Sequence, residues 1–149
     1  MKTVLDLDAR EDLVVRISQL SANDRALWGK MNVGQMVRHC ALSQEWILQG
    51  KRMKRALIGR LLGGLIFRKV MKDEFMRKNT PTLPELSVTD TDIDLSQERQ
   101  VLMGLVREYE TYVYPAGGFI HPFFGLMTRE QIGEFVYKHL DHHLRQFGR

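Results

Sequence analysis

Apolar side chains recur at helical spacing in five stretches of this chain, and no stretch alternates convincingly at period two. In residues 9–20, Leu13, Val14, Ile17 and Leu20 fall on one side of a short leading helix. A connecting loop is expected over 21–31. Asn32 with Gln35 has the form of a capping box and opens a helix running to about Gln49, where Gly50 stops it. Its stripe is Val33, Met36, Val37, Cys40 and Ile47. Leu57, Leu61 and Leu65 mark a third helix, weakened by Gly59, Gly63 and Gly64. Two prolines hold 79–86 out of helix. Asp94, with Gln97 three residues on, caps a long helix whose stripe is Val101, Leu102, Leu105, Val106, Tyr109 and Val113. Residues 114–125 read as loop, and Thr128 caps a final helix to about Phe147, ended by Gly148. Five apolar stripes that each need a partner predict an all-α fold: one domain over 1–149, built as a four-helix bundle with a short extra N-terminal helix.

The last helix carries an anomaly on its apolar side. At about 100° per residue, Ile132, Val136, Leu140 and Phe147 share a sector about 80° wide. His143 falls inside that sector and His139 at its edge, while His142 lies at the margin and Asp141 points away. Two imidazoles one turn apart can aim ring nitrogens at one point. On the second helix, His39 flanks the stripe beside Met36 and Ser43. If these helices pack together, three rings meet in the interior, where a polar group without a partner costs about 1–3 kcal/mol. A divalent cation removes that cost by accepting a lone pair from each ring, and three protein ligands leave positions free for water or substrate. Two histidines that donate separately to backbone or water produce the same spacing, so both readings stay open. Residue 140 is Leu, which excludes the HExxH pattern of zinc proteases. Metal identity is equally open, with zinc and nickel the foremost choices among ions that imidazole suits.

Other candidates carry blander readings beside sharper ones. His121, in the loop before the last helix, is a loop-packing residue or a proton carrier over the open coordination positions. Cys40, the one cysteine, sits on an apolar stripe and reads as a small core residue before a nucleophile or fourth ligand. Gln35 and Glu45 are candidates to orient the ligands; Trp28, Trp46, Phe123 and Phe124 are core or pocket wall.

Charge and composition narrow the class. The longest greasy run, residues 56–67, contains Arg60 and is well short of the roughly 20 residues of a membrane span. The N-terminus meets three acids before any apolar run, unlike a secretory signal. A cytoplasmic protein is expected. The net charge of +4 hides an asymmetry: residues 51–78 hold ten basic residues against Asp73 and Glu74, a net +8 within one fifth of the chain. Such a segment is a solvated face, or a dock for an anionic substrate, nucleic acid or a lipid surface. No nucleic-acid-binding signature accompanies it.

Three blocks also carry a family likeness: LWGKMNVGQMVRHC (27–40), MRKNTPTLPEL (76–86) and HPFFGLMTREQIGEFVYKHLDHHLRQFG (121–148). Together they resemble an uncharacterised bacterial family of the DinB/YfiT-like superfamily. That resemblance implies a bundle in up-down-down-up order, a homodimer, and a metal triad at His39, His139 and His143. It further implies a small-molecule substrate and a metal-dependent enzyme, with a low-molecular-weight thiol as cosubstrate in an S-transferase acting on electrophiles. The alternative from the residues alone is a non-enzymatic helical bundle with a structural metal or none.

Overall fold

The computed structural model describes residues 1–72 and 75–149; the two acids of the basic segment, Asp73 and Glu74, lie outside the described residues. Five α-helices form: α1 (Leu7–Ser18), α2 (Val33–Leu48), α3 (Leu57–Lys72), α4 (Leu95–Glu108) and α5 (Arg129–Gln146). The cap residues act as their spacing requires. In α2 the Gln35 N–H donates to Asn32 Oδ1 at 2.8 Å, and the Asn32 N–H donates to Gln35 Oε1 at 2.9 Å. Thr128 and Gln131 make the same reciprocal pair at the start of α5. Asp94 accepts from the Gln97 N–H at 3.0 Å to open α4. These caps fix where the helices start, and burial of the apolar stripes decides which side chains face inward.

Helices α1, α4, α2 and α5 pack in a closed ring, each against the next and α5 against α1. Leu13 and Ile17 of α1, Met36 and Ile47 of α2, Leu102 of α4, and Ile132, Leu140 and Leu144 of α5 fill it, all essentially without solvent contact. The leading helix is therefore a full member of the ring rather than an addition to a bundle.

Two further expectations need correction. The fold is not strictly all-α, because the stretch expected as loop contains an antiparallel hairpin, β1 (Phe119–His121) and β2 (Gly125–Met127), pairing Phe119 with Met127 and His121 with Gly125. Three-residue strands are too short to display alternation in sequence. The fourth predicted helix also stops early: α4 gives way at Tyr109–Thr111 to a 3₁₀ turn, which leaves Val113 in solvent.

The larger surprise is α3, which buries the opposite side from the one its leucines suggest. Gly59 and Gly63 face the hairpin, and a Cβ on Gly59 would lie 2.6 Å from the Phe123 carbonyl oxygen. A Cβ on Gly63 would meet that same carbonyl. The Ala56 N–H donates to the Pro122 carbonyl at 3.2 Å, and the Phe67 and Phe124 rings lie 5.3 Å apart. The residues that weaken α3 as a helix are thus what lets it approach the backbone closely. Gly63→Ala is expected to lower stability by about 1–3 kcal/mol, the range for overpacking, with denaturant melts as the check. No helix of the described residues is long and apolar enough to cross a membrane.

Candidate metal centre

Packing of α2 against α5 brings His39 to His139 and His143. One nitrogen from each ring lies within 4.8 Å of the others. Ring centroids are 5.3 Å apart for His39 and His139, 4.9 Å for His39 and His143, and 4.8 Å for His139 and His143. His39 Nε2 stands 3.3 Å from His139 Nε2. Among the described residues this is the single group of three or more histidine, cysteine or acidic side chains with such convergence.

Hydrogen bonds settle the tautomers of two rings. His39 Nδ1 lies 2.8 Å from the Leu86 carbonyl, an acceptor only, so Nδ1 carries the proton and Nε2 the lone pair. The 3₁₀ turn Pro84–Leu86, forced by the prolines of that loop, presents this carbonyl. The Gln146 amide Nε2 donates to the Trp28 carbonyl at 2.7 Å, which turns Oε1 toward His143 Nδ1 at 2.9 Å. His143 therefore also holds its proton on Nδ1. The Phe135 ring stacks beside His139 at 5.8 Å. Although part of His139 reaches solvent, its Nδ1 is buried without a hydrogen-bond partner.

All three imidazoles are held neutral. Burial lowers the pKa of His39, opposed in part by the Leu86 carbonyl. Burial brings His143 down to about 3, with His39 adding to the effect and the Gln146 contact opposing it. His139 is pushed well below the ordinary imidazole value by burial, then by His143 and His39. Three neutral rings with fixed acceptors behind two of them form a donor set that suits a borderline-soft cation.

The profile of a family described as "Protein of unknown function (DUF1569)" matches residues 1–149. The chain belongs to that family. No curated protein and no solved structure gives a significant match. The assignment to the DinB/YfiT-like superfamily is thereby corrected, since the profile that spans the chain is that of DUF1569. A histidine on one helix and an HxxxH pair on another follow from helical periodicity, so the pattern does not single out one family. The up-down-down-up order, the homodimer and the thiol cosubstrate rested on that likeness alone.

The remaining candidates in this DUF1569 chain fall outside the triad. His121 ends β1, buried between Phe124, whose ring stacks on it at 4.2 Å, and Phe135. Its Nδ1 accepts from the Phe123 and Phe124 N–H groups at 3.2 and 3.3 Å, binding the hairpin turn. Burial, then the Arg55 charge, takes its pKa down to about 3, so it shuttles no protons near neutrality. Cys40 is buried with Sγ 3.8 Å from Met36 Sδ, and burial raises its thiol pKa, as suits a core residue. Gln35 is spent on the α2 cap, and Glu45 pairs with Arg38 at 3.3 Å; neither orients a ligand. Trp46 forms wall against Phe119 and His121. His142 turns outward to Trp28, beside a cleft of about 310 Å³ that also has Phe75, Lys78 and Arg145 in its lining.

The groups that orient these rings, the Gln146 amide held by the Trp28 carbonyl and the Leu86 carbonyl, were not among the candidates. Gln146 had a legible signal: it follows His143 by three residues, on the same side of α5. The carbonyls had none. Gln146→Leu is expected to weaken metal binding by about 10–100-fold, while Gln146→Glu, which keeps an acceptor facing Nδ1 but loses the donor to the Trp28 carbonyl, weakens it less. Competition against a chromophoric chelator reads both.

Proposed function

We propose that this DUF1569 protein binds one divalent transition-metal ion, zinc or nickel foremost, through His39, His139 and His143 inside a four-helix bundle. The ion would serve a metal-dependent reaction on a small molecule. The observation that carries the reading is the pairing of both assigned Nδ1–H groups with acceptors behind the ring, which leaves the Nε2 lone pairs of His39 and His143 for the ion. Three imidazoles leave coordination positions free, and an ion held so supplies Lewis-acid chemistry to whatever oxygen or thiol approaches it. Hydrolysis is the reaction class that asks least of the surroundings. Cys40, the chain's one cysteine, is buried and its thiol pKa is raised by that burial, so the chain offers no cysteine thiolate of its own for transfer.

A second reading, in which the ion is structural, is favoured by the burial of His39 and His143. Protein purified without a histidine tag tests the site. About one equivalent of metal per chain is expected, and a content under about 0.1 after incubation with zinc, nickel or manganese would remove the proposal. Cobalt-substituted protein separates the two readings. Added azide shifts the visible bands if a coordination position is open and leaves them unchanged if the site is closed.

A further inference from the structure

Helix α3 presents to solvent what a helix ordinarily buries. With Gly59 and Gly63 set against the hairpin, Leu57, Ile58, Leu61, Leu62 and Leu65 all face outward. Three of them, Leu57, Leu61 and Leu65, are 77%, 84% and 61% exposed. At about 100° per residue the five lie within a sector roughly 140° wide. A contiguous aliphatic face on a monomer marks an interaction surface.

The surrounding charge chooses the occupant. Lys51, Arg52 and Lys54 precede the helix, and Arg68, Lys69 and Lys72 continue the same outward sector in its last turns; all six are exposed. We propose that α3 is an interfacial anchor that lays its leucine face into an anionic lipid surface, with these cations among the headgroups. A second copy of the chain suits the face poorly, because a two-fold pair would bring two strongly basic segments together. Nucleic acid would use the cations and leave five aliphatic side chains in water. The docking of α3 through its own backbone suits an anchor as well, since the leucines contribute little to the core and can enter the bilayer without unpacking it.

The test is co-sedimentation of the full chain with vesicles of equimolar phosphatidylglycerol and phosphatidylcholine, against vesicles of phosphatidylcholine alone. Binding to the anionic vesicles is expected, weakened at least about tenfold on the neutral ones or at raised salt. Leu61→Gln with Leu65→Gln should reduce partitioning by at least about tenfold with an unchanged melting temperature, because both side chains are solvent-exposed. Failure to sediment with anionic vesicles at low salt overturns the proposal. So does undiminished binding by the double variant, which would reduce the contact to charge alone. A dimer seen by light scattering that the double variant dissolves would also overturn it, in favour of a second copy.

Discussion

Zinc added to the metal-free protein is expected to raise its unfolding midpoint by about 10 °C. A ligand at about a thousand times its dissociation constant, binding only the folded state, stabilises by about 4 kcal/mol, and a chain of this size shifts by about 2–4 °C per kcal/mol. His139→Leu should abolish the shift while leaving the metal-free midpoint unchanged or slightly raised. The reason is the state of His139 without metal: its Nδ1 is buried and unpartnered, and its Nε2 stands 3.3 Å from that of His39. Leucine fills a comparable volume and removes the orphaned Nδ1, which offsets the loss of the long contact to His39 Nε2. A ring kept for packing would behave in the opposite way, with a zinc response that survives and a metal-free protein that loses several kcal/mol. Calorimetry of wild type and variant, with and without zinc, distinguishes the two. A residue whose replacement helps the empty fold but removes ligand binding is one held for that ligand.

What could be read from the sequence was set by local chemistry. Asn32 with Gln35, Asp94, and Thr128 with Gln131 announce helix starts because a side chain must reach a backbone N–H at fixed spacing. Within each helix the rotation of about 100° per residue ties the histidines to the sector of their apolar neighbours, which is why His39 and the pair on α5 could be singled out. Where the outcome depended on distant contacts, the pattern misled. Leu57, Leu61 and Leu65 form a proper apolar stripe, yet the hairpin offers α3 a backbone surface that only its glycines can approach. The leading helix looked accessory because it is short, and its place in the ring follows from where α4 and α5 leave a gap. Carbonyls of Leu86 and Trp28 orient ring and amide through backbone atoms that every residue possesses, so no residue type could signal them. The family likeness failed for a related reason: helical periodicity constrains many unrelated bundles in the same way.

The metal-free protein is expected to lose stability steeply as pH falls below about 6.5, the value at which free imidazole protonates. Stability rises with pH wherever the unfolded chain binds more protons than the folded one. His121 and His143 take up protons in the folded state only near pH 3, and His39 and His139 are lowered as well. Between about 6.5 and 3 the unfolded chain therefore protonates first, and the loss accumulates through that window at about 1.4 kcal/mol per unit for His121 and for His143, with His39 and His139 adding in the same direction. Above 6.5 both states carry neutral rings and this contribution is flat. His121→Asn isolates one group, because an amide oxygen can accept from the Phe123 and Phe124 N–H groups in place of Nδ1 without titrating. It should match wild type within about 1 kcal/mol at neutral pH and show a shallower acid limb. His121→Leu leaves both N–H groups without an acceptor and should cost about 1–3 kcal/mol at every pH. Urea melts of chelator-treated protein between neutrality and about pH 4, near the far end of the window, supply the comparison. An Asn variant with the wild-type pH slope would mean that His121 protonates freely within the fold.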